Sequence, residues 1–226
     1  MTSASRVALS AALVLSTATP AMSQDAGLQT AAPAAATSAA AKSLDTFRSI
    51  SNTLTQLKTL GLDAPGDALQ ASIGGAVVDY MIGLDPLREW DGGDPMKLLR
   101  PTGQFVYSIN VDGRTKSSVT IAQVKGEWVA AAFGTPNEAR ARSDLKDNLS
   151  AQAPGGAKDF AQVRVPALRT TFMAFQGSDG LVFTSLTSRP EFGLEPGKPY
   201  QRCLDEGPQP GIHQSAFARL IPCDCV

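Results

Sequence analysis

The chain has a single histidine, His213, and only three cysteines, all of them within the last 24 residues. One histidine excludes H-E-x-x-H and any other site that needs two imidazoles from one chain. A serine triad would have to take its base from His213, and no G-x-S-x-G elbow accompanies it. A phosphate loop is also missing. The only Gly-Lys pair, Gly197-Lys198, has Phe192 where the first glycine should stand and Pro199 where the hydroxyl should stand. The calcium pattern D-x-D-x-D-G does not occur. No apolar run reaches the roughly 20 residues that cross a bilayer. Charge of one sign is lacking too. The chain carries 20 basic and 21 acidic residues, which gives no basic surface for nucleic acid and no polybasic membrane anchor.

What is present begins with the first 23 residues. Arg6 forms a positive n-region, Val7 to Leu15 (VALSAALVL) is an apolar run of h-region length, and Ala21-Met22-Ser23 offers small residues to a signal peptidase. Cleavage after Ser23 is expected, with Gln24 as the mature N-terminus. Losing Arg6 leaves 19 basic against 21 acidic residues, close to neutral. The predicted location is periplasmic or secreted, where disulfides are stable. With 43% hydrophobic residues, the remaining length can fill one core.

Residues 24–42 (QDAGLQTAAPAAATSAAAK) have almost no large apolar side chain and read as a disordered Ala-rich stem. A helix is expected from Ser43, with Leu44, Phe47, Ile50, Leu54, Leu57 and Leu60 on one face and Gly61 at its C′ position. Ala76 to Leu84 reads as a strand. Gln104 to Val111, Ser117 to Val124 and Glu127 to Phe133 read as a meander, with turns at Asp112-Gly113 and Lys125-Gly126. In the first of these, Phe105, Tyr107, Ile109 and Val111 share one face, and Gln104, Ser108 and Asn110 the other. Thr135-Pro136-Asn137-Glu138 is a helix start, and the helix should run to about Leu149. Phe160 to Val165, Thr170 to Gln176 and Leu181 to Leu186 form a second strand cluster. The fold class is therefore α+β. An antiparallel sheet built from two meanders should carry the long N-terminal amphipathic helix and the middle helix. Residues 43–226 read as one such domain, with an irregular proline- and glycine-rich tail over about 189–226. Whether the two clusters make one sheet or two is open at this level.

Few residues invite chemistry. Cys203 with Cys223 would close a loop of about 20 residues, for roughly 3 kcal/mol of stabilisation, and Cys225 is the alternative partner. Cys-Asp-Cys is not a thioredoxin-type spacing, and zinc would need His213 as a fourth ligand. The carboxylates Asp85, Glu89, Asp91 and Asp94 surround Arg88 and read as a solvated turn. Trp90 and Trp128 are the two candidate ligand-facing aromatics, although Trp128 also pairs with Phe105 in a core reading of the meander. No catalytic, cofactor-binding or metal-binding residue emerges.

Four segments resemble small exported bacterial proteins of unassigned activity: LDPLREW (84–90), LLRPTGQFVYSINVDG (98–113), SSVTIAQVKGEWVAAAFG (117–134) and FGLEPGK (192–198). They cover about half of the mature chain. They are strand and turn motifs, so the resemblance implies an envelope location and one folded unit and transfers no site. The expected function is a non-catalytic binding or accessory protein of the cell envelope. The alternative is an envelope enzyme, hydrolase-like, built on carboxylates or Ser/Asp groups that sequence alone does not bring together. The expected partner is another envelope protein or a small ligand, with no nucleic acid, no membrane span and no cofactor. Nothing in the sequence sets the oligomeric state.

Overall fold

The computed structural model describes residues 28–29, 31–91, 93–152, 158–177 and 180–200. The leader, His213 and the cysteines Cys203, Cys223 and Cys225 lie outside these residues, so the cleavage and disulfide expectations do too. The architecture is mixed α and β, with helices against a mostly antiparallel sheet. None of the described helices is long and apolar enough to cross a membrane.

The stem expectation is corrected for residues 34–42. They form the start of helix α1 (Ala34–Ile50), in which Ala36, Ala40, Ser43 and Phe47 are buried. Alanine is the best helix former, and Pro33 sits before the first turn, where its carbonyl accepts the amides of Ala36 and Thr37. The helix therefore does not begin at Ser43. That residue lies inside the helix and donates its hydroxyl to the Ala40 carbonyl. The single long helix expected after it is split. Ser51 bonds back to the Phe47 carbonyl, the chain turns, and Thr53 caps a second helix, α2 (Leu54–Leu60). Gly61 ends α2 at φ +77°, as its position suggested. A side chain here would also strike the Lys116 carbonyl and Pro136.

A short helix α3 (Pro65–Leu69) leads into strand β1 (Ser72–Met81). Helix α4 (Leu84–Arg88) and a 3-10 turn over Pro95–Leu98 occupy the acidic segment. Asp85 lies in the first turn of α4, Asp91 accepts the Gly93 amide, and Asp94 accepts the Met96 amide, so three of the four carboxylates organise local backbone or a helix end. Strands β2 (Arg100–Val111), β3 (Arg114–Val124) and β4 (Glu127–Phe133) follow. Both hairpin turns have positive φ at their two central residues, Asp112-Gly113 and Lys125-Gly126, the geometry that matches strand twist. Helix α5 (Pro136–Gln152) starts where its proline predicts. Strands β5 (Lys158–Val165), β6 (Thr170–Gly177), β7 (Gly180–Ser185) and the two-residue β8 (Pro199–Tyr200) are the last of the described strands.

The eight strands among the described residues belong to one sheet in the order β4-β3-β2-β1-β5-β6-β7-β8. Every neighbour is antiparallel except β1 and β5, which run parallel from Val78↔Ala161 to Met81↔Arg164. The larger core lies on one face, under α1, α2, α3 and the segment around Leu87 to Leu99. Phe105, Tyr107, Ile109, Ile121 and Val163 belong to it. The opposite face carries a smaller core in which Leu145 of α5 meets Val77, Val106, Phe160, Met173 and Phe175.

Candidate functional site

The smaller core does not fill the space beneath α5. At the near end of the sheet, β1 carries Gly74-Gly75, and its pairing with β2 jumps from Ile73↔Ile109 to Ala76↔Tyr107. Two glycines inside a strand mark a bulge or a close approach. Here it is both. A Cβ on Gly74 would fall 2.3 Å from Ser108 Oγ and 2.7 Å from Asn110 Nδ2. The absent side chain of Gly74 thus lets two polar groups of β2 reach across onto β1.

Above them runs α5. Ala139, Arg142, Ser143 and Lys146 recur at helical spacing and form one inward face. Between this face and the strands is a cleft of about 280 Å³. Its floor is apolar, from Val77, Val106 and Met173. Its walls carry Ser108, Asn110 and Thr115 from the strands and Ser143, Lys146 and Asp147 from the helix. Thr115 donates to Asn110 Oδ1 at 2.9 Å and sits 3.0 Å from the Ser143 hydroxyl, which ties the strand wall to the helix. Lys146 lies over the Phe160 ring, its Nζ 5.8 Å from the centroid, and close to where a Gly75 side chain would stand.

Arg142 is the unusual member. It is only 7% exposed, and its buried Nε has no hydrogen-bond partner among the described residues. No carboxylate among those residues lies within 4.0 Å of its guanidinium. Burial pushes its pKa below the ordinary arginine value, and the more distant charges of Glu138 and Asp79 oppose that shift.

Asp79 marks a second polar centre on the same face. It is 1% exposed and fully engaged. Gln162 Nε2 and Thr102 Oγ1 donate to it at 2.8 Å, and Arg164 Nε at 3.1 Å, while Arg164 Nη2 completes a forked ion pair. With its lone pairs occupied in this way, Asp79 is a strut across β2, β1 and β5. On the far side of α5 a shallower hollow of about 210 Å³ lies between Leu145, Asn148, Leu186 and Pro196. Among the described residues no three His, Cys, Asp or Glu side chains gather as metal ligands would.

The two tryptophans singled out from the sequence stand elsewhere. Trp90, a candidate ligand-facing aromatic, is 8% exposed and packs in the larger core. Trp128 is half-buried on β4 and packs on Phe105, ring centroids 5.5 Å apart. Neither lines the cleft. The residues that do were not singled out as candidates, although two signals pointed to them. Gly74-Gly75 stands beside the strand expected from Ala76 and in fact lies inside β1, which begins at Ser72, and Arg142 falls in the apolar stripe Ala139, Leu145, Leu149 of its helix.

No family model matches the chain, and no characterised protein or solved structure is significantly similar to it. The likeness of its central segments to small exported proteins therefore rests on those strand and turn motifs alone.

Proposed function

We propose that this is an exported, non-catalytic binding or accessory protein of the cell envelope. It holds a small ligand in the cleft between α5 and the sheet. The observation that carries this reading is the cleft itself, a concave space of about 280 Å³ in which polar and charged side chains of α5 and the strands converge above a small apolar floor. The first helix supports a small ligand over a protein partner at that helix, because the inward side chains of α1 already pack in the larger core. The leader supports the location, and Gln24 is the expected first residue of the exported form.

The test has two parts. Expression with the leader in a bacterial host should yield a periplasmic product whose intact mass begins at Gln24. A retained Met1 would remove the location. The mature protein is then screened against common small metabolites by thermal shift, and hits are mapped by amide chemical shifts. Hits should move Gly75, Ser108 and Thr115. Hits that consistently map elsewhere would overturn the cleft. Turnover abolished by one point change would establish the enzyme alternative instead.

A further inference from the structure

Resting on the reading of the cleft as a binding site, we infer that its ligand is a small hydroxylated carboxylate, held through Arg142 and Lys146. A buried charge is costly unless it is paired and hydrogen-bonded. Arg142 is buried, yet the nearest fully buried carboxylate, Asp79, is already forked by Arg164. The guanidinium lines the cleft with Nε unpartnered among the described residues. Its planar edge fits a carboxylate in two parallel hydrogen bonds. Lys146 stands one helical turn further on the same face and adds a second cation. Asp147 offsets one of the two, so the lining has a net charge of +1. That suits a monoanion and disfavours a dianionic phosphate.

The rest of the lining names the rest of the ligand. Ser108, Asn110 and Ser143 offer hydroxyl and amide groups that exchange hydrogen bonds with hydroxyls. Val77 and Val106, nearly buried with Met173 behind them, underlie these groups and suit at most a short carbon chain. At about 280 Å³ the cleft is at the small end of ligand sites, which run from roughly 300 to 1,000 Å³. A sugar acid or a hydroxy acid meets all three demands.

The experiment titrates the purified mature protein, isotopically labelled, with gluconate, lactate, inorganic phosphate and glucose. Gluconate should shift the Arg142 Nε–H resonance together with the Gly75 and Ser108 amides. Arg142→Gln should weaken gluconate at least about tenfold, and Lys146→Gln about threefold, as loss of a charge-assisted bond requires. If Arg142→Gln fails to fold, the Arg142 Nε–H signal of the unaltered protein and the Lys146→Gln variant decide the matter. Phosphate binding more tightly than either acid overturns the carboxylate assignment. Glucose binding as tightly as gluconate, unaffected by Lys146→Gln, overturns the anion while the cleft stands as a binding site. If none of the four moves a cleft amide, the inference falls, and the broader metabolite screen then decides the functional reading by itself.

Discussion

Asp79 lies mid-sheet beside the parallel seam, where water does not reach it, so its charge must be met by protein. Three side chains from two neighbouring strands do this. Replacing it by asparagine leaves the shape and turns an acceptor into a donor that faces Gln162, Thr102 or Arg164. Removing one partner of a buried pair costs about 3–5 kcal/mol. Arg164 is 42% exposed and recovers part of that from water, so Asp79→Asn should cost about 2–3 kcal/mol. Urea unfolding measures it, and a change under about 0.5 kcal/mol, the ordinary range for surface sites, would show the strut to be idle. At the surface, Asp63 accepts the Lys116 ammonium at 2.7 Å. That hydrogen bond and its charge hold the Asp63 carboxyl below its ordinary 3.8. Because the folded value is the lower one, the pair favours the fold above the unfolded pKa, and the effect is lost as pH falls through the folded pKa. A carboxyl NMR titration should place Asp63 below 3.8, and Lys116→Ala should raise it toward that value. The same midpoint in both proteins would remove the pair from consideration.

Elements show most clearly what the sequence could and could not tell. Phe105, Tyr107, Ile109 and Val111 alternate, and all four are buried on the face their period assigned. Asp-Gly and Lys-Gly supply the positive φ that a two-residue turn needs, so both hairpins were legible. Helix α1 was not. An alanine-rich segment reads the same whether it is solvated or docked, because the methyl group is too small to produce a periodic apolar signal. What buries Ala36 and Ala40 is a distant surface, and Thr37 Oγ1 reaches Tyr107 across 70 residues. Deleting residues 24–42 should therefore cost about 2 kcal/mol or more, from two alanine methyls and the core surface they cover. That corresponds to a melting point lower by about 4–8 °C, and calorimetry decides. An unchanged melting point would return the segment to a stem. Strand β4 calls for the opposite revision. Its Trp128 is half-buried on an edge strand, so Trp128→Ala should cost about 2 kcal/mol, not the roughly 3–5 of a fully buried aromatic. The cleft was illegible for a related reason. An arginine in a helix rich in charged residues ordinarily reads as solvated even on the apolar stripe, and the pairing shift at Gly74-Gly75 that borders the cleft shows only once β1 and β2 are paired.

At the scale of the whole molecule, the two strand runs are joined by the parallel pairing of β1 with β5, some 80 residues apart and without a local sequence signature. That seam is short, from Val78↔Ala161 to Met81↔Arg164, and by itself would be a weak hinge between the β1–β4 and β5–β8 parts of the sheet. Packing argues against a hinge. The larger core runs across the seam, with Ile121 of β3 and Phe183 of β7 in the same contiguous cluster. The smaller core crosses it too, since α5 leaves β4 and sets Leu145 among residues of β1, β2, β5, β6 and β7. Neither part can expose its inner face without uncovering the other, and such parts melt together. The mature protein should therefore unfold in one calorimetric transition, with calorimetric and van't Hoff enthalpies equal. Met173→Ala should test the coupling, because Met173 is wholly buried on β6 and also floors the cleft beside β1 and β2. It should cost about 2–5 kcal/mol and shift that single transition as a whole. Two resolved transitions, only one of them moved by Met173→Ala, would show instead that the seam is a hinge and that each part of the sheet folds by itself.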